Sequence, residues 1–268
     1  MFAVDVGQGD AVVILHGFPS WSGDFALVLD ALAARFRVVV HDHLGFGTSD
    51  KPRDHGYSLF EQADVALGLW RSLGIERAHL VAHDYGTSVA TELLARHVRG
   101  LLPLSIASVT LTNGSIHLEL AKLRASQRIL ASPLGPAFAR LAGRTLFLRN
   151  MRAVLRRPVD ETHLDAMWRA LEYNEGRRTL PLVSRYLAER VRFRRRFIGA
   201  LEALDVPAHV LWAEDDPVAV RAIGDQLAAE IPGAVHTRLA GLGHYPMLED
   251  PAAWSAAALQ FLASVPQR

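Results

Sequence analysis

The chain has 268 residues, half of them apolar, which excludes a disordered tail and leaves room for one large domain or one domain carrying an insertion. Its 29 basic and 28 acidic side chains leave a net charge of +1, so nothing global points to a nucleic-acid partner. There are no cysteines, which excludes disulfides, thiolate metal sites and a cysteine nucleophile.

In chain order, residues 11–15, 37–41, 78–82 and 108–112 are apolar runs, the pattern of parallel strands covered on both faces. Helices are predicted between them. Phe25, Val28, Leu29 and Leu32 recur at helical spacing, as do Val65, Leu69 and Leu73 in a segment that starts near Ser58 and stops at Gly74. Another helix is predicted to run from position 84 to about Arg99. Strands resume at 209–213 and 235–239, followed by a last helix from about Pro251. Between them, residues 114–200 carry no strand-like run and are crowded with arginine. The expected architecture is therefore α/β, a mostly parallel central sheet flanked by helices with an inserted helical cap. Residues 1–112 and 201–268 form the core and 113–200 the cap. The cap holds 17 arginines and Lys122 against seven acidic residues, a balance of +11, which leaves −10 for the remainder. Opposite charges of this size imply attraction between cap and core across their seam. The start of the chain lacks a basic leader and no apolar run approaches about 18 residues. The expectation is a cytoplasmic protein without a membrane span, monomer or homodimer. Only Lys51 and Lys122 are lysines, a skew pointing to a bacterial, GC-rich genome.

The stretch most informative about chemistry is Val81-Ala82-His83-Asp84-Tyr85-Gly86-Thr87, where an apolar strand turns sharply into a helix. So tight a turn strains its central residue and pushes that side chain out above the sheet, while Ala82 and Gly86 leave room for it. Asp84 also sits at a helix N-terminus, which favours a carboxylate. It is the predicted nucleophile. A carboxylate attacking an ester would only make a more reactive anhydride, so Asp84 is expected to attack saturated carbon, opening an epoxide or displacing a halide. No G-x-S-x-G occurs in the chain, which counts against an ordinary esterase, lipase or peptidase.

Releasing the resulting ester needs a base, an acid that orients the base, and an oxyanion hole. His244, in the glycine-rich loop Gly241-Leu242-Gly243-His244-Tyr245-Pro246, is the expected base, and Asp216, ending Ala213-Glu214-Asp215-Asp216, its partner, with Asp215 and Glu214 as rivals. The oxyanion donors are expected to be the amides of Tyr85 and of Phe18 in His16-Gly17-Phe18-Pro19. His41-Asp42-His43 resembles a metal motif but lacks third and fourth ligands, and Gly45-Phe46-Gly47 lacks the rest of a dinucleotide fingerprint. No metal or cofactor is expected; the partner is a small apolar or amphipathic molecule with an electrophilic carbon.

At these residues the chain resembles the α/β-hydrolase superfamily, in the branch with an aspartate nucleophile that holds epoxide hydrolases and haloalkane dehalogenases. The resemblance spans nearly the whole length. It rests on His16-Gly17-Phe18-Pro19, the run from Asp42 to Pro52, His83-Asp84-Tyr85-Gly86, Asp216 and Gly243-His244-Tyr245-Pro246, in that order. Ser58-Leu59-Phe60-Glu61-Gln62-Ala63, Thr112-Asn113-Gly114 and Phe193-Arg194-Arg195-Arg196 look like landmarks of mesoderm-specific-transcript-like members of that branch. The resemblance implies a pocket that includes His16, Pro19, Trp168 and Tyr173. Epoxide hydrolases use two cap tyrosines as proton donors; Tyr186 stands where one is expected, and Tyr173 is the candidate for the second. Dehalogenases of this branch typically have Trp after the nucleophile and often Asn in the oxyanion loop, where this chain has Tyr85 and Phe18. Epoxide hydrolysis to a vicinal diol is thus the expected activity, with haloalkane dehalogenation or a non-catalytic ligand-binding role as alternatives.

Overall fold

Seven strands build one sheet in the computed structural model, which describes residues 1–266. They are β1 (Ala3–Val6), β2 (Ala11–Leu15), β3 (Arg37–His41), β4 (Arg77–His83), β5 (Ser105–Thr112), β6 (Ala208–Ala213) and β7 (Val235–Leu239), in the order β1-β3-β2-β4-β5-β6-β7. All neighbours are parallel except β1, which runs antiparallel to β3. β2 and β6 are buried along their whole length, because helices cover both faces of the sheet, and this makes their sequences apolar without alternation. β1 was not foreseen. It is a half-exposed edge strand of four residues, held partly by the Asp5 carboxylate accepting from Arg37 on β3 at 2.7 and 3.0 Å. β5 begins three residues earlier than its apolar run, since an irregularity at Ala78/His79 of β4 lets Arg77 and Ala78 pair with Ser105 and Ile106.

The flanking helices of the first half are α1 (Ala26–Ala33), α2 (Leu59–Ser72) and α3 (Tyr85–His97). A capping box starts α2: the Ser58 hydroxyl accepts from the Glu61 amide, and the Glu61 carboxylate accepts from the Ser58 amide. Between β5 and β6 the chain is helical: α4 (Ala125–Leu130), α5 (Gly135–Leu141), α6 (Arg144–Arg152), α7 (Glu161–Glu172), α8 (Leu180–Val183), α9 (Tyr186–Arg192) and α10 (Arg194–Glu202). The boundary expected at residue 200 falls inside α10. This helix packs on α3, where Arg196 donates to the buried Glu92 at 2.6 and 2.8 Å. The chain closes with α11 (Arg221–Glu230), α12 (Pro246–Glu249) and α13 (Pro251–Ser264). None of the helices among the described residues is long and apolar enough to cross a membrane.

Candidate active site

Asp84 lies between β4 and α3 with φ +43° and ψ −110°, a conformation that costs a non-glycine residue energy and persists only where its surroundings impose it. Those surroundings are visible on both sides. A Cβ on Gly86 would stand 2.1 Å from the Leu15 carbonyl oxygen of β2, so only glycine lets α3 leave the sheet this closely. A Cβ on Gly17 would stand 3.0 Å from the Asp84 Cβ, so glycine also lets the 16–19 loop approach the carboxylate. The Phe18 amide then donates to Asp84 Oδ2 at 2.8 Å. Asp84 Oδ1 is buried without a hydrogen-bond partner among the described residues. The Tyr85 amide opens α3, where helix geometry provides no acceptor, so it remains available beside the carboxylate.

His244 faces that free oxygen, its Nε2 3.9 Å from Asp84 Oδ1. Its other nitrogen, Nδ1, donates to Asp216 Oδ2 at 2.7 Å. Asp216 is the acid the geometry selects over its two rivals. It also accepts from the Val218 and Ala219 amides at 2.7 and 3.0 Å and from the Asn113 side chain at 2.9 Å. By contrast, Asp215 accepts from the Gly241 amide and Glu214 pairs with Arg221, both away from the imidazole. Burial pushes the Asp216 carboxyl upward, but His244 and the donated hydrogen bonds outweigh it and hold the group below the usual range. Burial likewise disfavours the His244 imidazolium, yet Asp216 and then Asp84 overcome it and push its pKa up to about 9. The two carboxylates on either side of the ring thus favour the imidazolium.

Two groups hold the histidine loop. His83, kept neutral by burial, donates from Nε2 to the His244 carbonyl at 2.7 Å. Glu249 accepts from the Gly243 and Tyr245 amides and from the Arg156 and Arg157 amides, clasping the loop to the residues after α6.

Above the carboxylate sits Tyr186, the first residue of α9. Its ring is 5.1 Å from that of Tyr85 and 6.1 Å from that of Phe18, and its buried hydroxyl has no partner among the described residues. Burial and then the Asp84 charge push its pKa up. Beside it lies a residue that sequence reasoning missed. Arg190 is 4% exposed and donates to the Ser88 hydroxyl at 2.5 Å, the Ser115 carbonyl at 2.6 Å and the Asp84 carbonyl at 3.3 Å. Its guanidinium carbon stands 4.8 Å from the centre of the Tyr186 ring. One cap helix thus delivers both a phenol and a cation to the turn that carries Asp84. Arg190 is one of 17 arginines in the cap, and no spacing or neighbour distinguishes it. Asn113 was equally silent as a site residue, although a polar side chain at a strand end before Gly114 is a readable signal. Its side chain bridges β5 to Ala213 of β6 and to Asp216.

A cavity partly open to solvent lies between cap and core. Phe18, Pro19, His244 and Tyr245 line its core side; Phe138, Phe147, Met151, Trp168 and Leu171 line the cap side. Pro19 and Trp168 thus take the expected places. His16 and Tyr173 do not. His16 is buried behind the loop, where a tautomer protonated at Nδ1 donates to the Gly17 carbonyl at 2.8 Å and accepts from the His43 amide at 3.0 Å. Tyr173 is 52% exposed, with Lys51 Nζ 5.1 Å from its ring centre. The backbone explains its position: Asn174 and Glu175 both take positive φ, and the chain turns away from the cavity after α7. The second cap tyrosine is therefore not supplied by Tyr173.

Comparison with known proteins agrees with the architecture. Residues 10–251 match the family described as alpha/beta hydrolase fold. LipZ of Mycobacterium tuberculosis (strain ATCC 25618 / H37Rv) is 42% identical over 260 residues, covering 96% of this chain and 90% of LipZ. The mesoderm-specific transcript protein of Mus musculus is 37% identical over 270 residues, covering 97% of this chain and 80% of that protein. Among solved structures, the haloalkane dehalogenase DbeA from Bradyrhizobium elkani USDA94 superposes with a TM-score of 0.83 at 24% identity, over 97% of this chain and 93% of that one, a likeness of fold.

Proposed function

The chain belongs to the α/β-hydrolase fold family, and from that premise we propose that it is a hydrolase working through an alkyl ester on Asp84, with an epoxide as substrate and a vicinal diol as product. The observation that carries this reading is the unequal state of the two carboxylate oxygens. Oδ2 is held by the Phe18 amide, while Oδ1 is unpaired and faces His244 across 3.9 Å. Oδ1 attacks an oxirane carbon, the carbon–oxygen bond breaks, and Tyr186 gives its proton to the departing oxygen. A phenol remains more acidic than an alcohol, so this transfer runs downhill even with the Tyr186 pKa raised by burial, and Arg190 over the ring favours the phenolate. The ester cancels the Asp84 charge, which removes one of the influences that keep His244 protonated. His244 passes its proton to the Tyr186 phenolate, and the neutral imidazole then takes a proton from water as the water oxygen adds to the ester carbonyl. The Phe18 and Tyr85 amides receive the oxyanion. Collapse restores the carboxylate as the second water proton passes to the departing alkoxide, which frees the diol and leaves His244 an imidazolium again.

Haloalkane dehalogenation is the second reading, and Trp168 in the cavity wall is the observation that favours it, as a donor to a leaving halide. Tyr85 and Phe18 stand where that branch has its usual halide donors, which weighs against it. The test is His244→Gln, incubated with epoxides and separately with haloalkanes and weighed intact by mass spectrometry. Epoxides should leave a hydroxyalkyl adduct that disappears when Asp84 is also replaced. An adduct from haloalkanes alone would transfer the assignment to dehalogenation. No adduct from either would overturn the ester mechanism in favour of a ligand-binding role.

A further inference from the structure

Residues 120–159 contain nine basic side chains and no acidic one, a bias without parallel elsewhere in the chain. Attraction across the cap–core seam does not account for it. Within this stretch only Arg157 reaches a core carboxylate, Asp250, while Arg144 and Arg152 pair with Asp165 and Glu161 of α7. Lys122, Arg124, Arg128, Arg140, Arg149 and Arg156 have no carboxylate partner among the described residues.

The same stretch carries the two most exposed large apolar side chains among the described residues, Leu141 at 82% and Leu134 at 69%. They are not scattered. Leu134, the residue at the N-cap of α5, and Phe138 and Leu141 within it follow one another at i, i+4 and i+7 in helical backbone, so they form one stripe. Its middle member, Phe138, lines the cavity, together with Leu130 of α4 and Leu146 and Met151 of α6. A separate surface depression lined by Gly143, Arg144, Thr145, Leu146 and Arg149 adjoins it and shares Leu146 with the cavity wall. Arg144 is already held by Asp165, so the unpaired Arg149 and the Thr145 hydroxyl are the groups here suited to a phosphate.

From this juxtaposition of unpaired arginines, an exposed leucine stripe and a cavity lined by the same three helices, we infer that the α4–α6 face of the cap docks on an anionic phospholipid surface. The leucines enter the interface, the arginines meet headgroup phosphates, and no helix needs to span the bilayer. A nucleic acid would use the arginines but not the leucines, so the stripe favours lipid. The consequence for substrate rests on the reading proposed above: an apolar electrophile dissolved in the bilayer would enter the cavity between α4, α5 and α6 without crossing water.

Co-sedimentation with vesicles tests the docking without any turnover, so its outcome is separate from that of the Asp84 chemistry. The intact protein should bind vesicles of phosphatidylcholine containing phosphatidylglycerol and not those of phosphatidylcholine alone, and added salt should weaken the binding. Replacing Arg128, Arg140 and Arg149 by Gln should reduce affinity about fivefold for each arginine removed. The double variant Leu134→Glu/Leu141→Glu should no longer sediment. Its circular dichroism and its turnover of a short water-soluble substrate should stay as in the parent, because both side chains are exposed and outside the cavity wall. Absence of binding to either vesicle, or equal binding to both, overturns the inference. So does binding that survives the leucine changes and is matched by duplex DNA, which would mark a general polyanion patch.

Discussion

In the proposed mechanism the chemistry at Asp84 and His244 is set by which groups remain unneutralised. His244 is surrounded by Asp216, Asp84 and, farther off, Glu249, and their summed field keeps a buried imidazole protonated where burial alone would discharge it. Titration followed by imidazole NMR should therefore place His244 at about 9 in the free protein. Asp216→Asn should lower it most, because burial then meets opposition chiefly from Asp84, and Asp84→Asn should lower it less. A His244 titration indifferent to both substitutions would refute the charge arrangement. It also follows that breakdown of the ester requires less alkaline conditions than the free-protein value implies, since the ester has lost the Asp84 charge. That step should still slow as pH falls through the lower pKa, because an imidazolium cannot accept a proton from water. Tyr186→Phe removes the cap phenol that stands beside Asp84. Epoxide turnover should fall by about 10²- to 10⁴-fold, while any alkyl ester formed from a haloalkane should appear at an unchanged rate, because a halide leaves without an acid. Equal loss on both substrates would mean that Tyr186 serves packing alone.

The elements that position these groups were legible to different degrees, and the differences have a cause. β2, β3, β4, β5 and β6 lie inside the sheet with both faces covered, so each wrote its burial into a run of apolar residues. β1 is an edge strand, and four residues with two exposed leave no such run. The turn at Asp84 was readable because steric exclusion acts within a few residues: Ala82 and Gly86 are small on either side of one strained aspartate. Its cost can be measured. Gly86→Ala places a methyl 2.1 Å from the Leu15 oxygen, a backbone atom that cannot move aside without shifting β2 or α3. Overpacking of this kind costs about 1–3 kcal/mol and occasionally more. The urea midpoint should drop accordingly, with activity lost beyond what the stability change explains, because Asp84 is carried on the displaced turn. A variant with parental midpoint and activity would show that α3 has room the structure does not reveal. Tyr173 marks the opposite case. The resemblance made it the candidate for the second cap tyrosine, but two successive residues with positive φ redirect the chain, and Asn174-Glu175 is not a sequence that demands such a turn.

Across the whole molecule, cap and core are joined by a few specific pairs rather than by a diffuse field. Glu92 on α3 is buried and accepts from Arg96 on its own helix and from Arg196 on α10, so one carboxylate ties α3 to α10. Glu92→Gln leaves two guanidiniums facing a neutral amide and should cost on the order of 3 kcal/mol, read from chemical denaturation. A change of only a few tenths would mean that solvent at the arginines already neutralises the pair. Arg157 with Asp250 and Arg190 with the Asp84 carbonyl add two further ties. The basic charge left over is concentrated on α4 to α6, where the seam does not use it.

The sequence by itself determined the alternation of strands and helices and the helical character of the stretch between β5 and β6, and it presented an aspartate, a group of three acids and a histidine at strand ends in that order. Each of these is imposed by contacts between near neighbours along the chain: both faces of a strand covered, a turn too tight for side chains, a loop ending a strand. Only the tertiary structure decided that Asp216 rather than Asp215 or Glu214 meets the imidazole, that Asn113 braces it, that Tyr173 points away, and that Arg190, 106 positions from Asp84, reaches beneath the turn. Those outcomes depend on how separately folded layers pack against one another, and a side chain carries no local mark of the layer that it will meet.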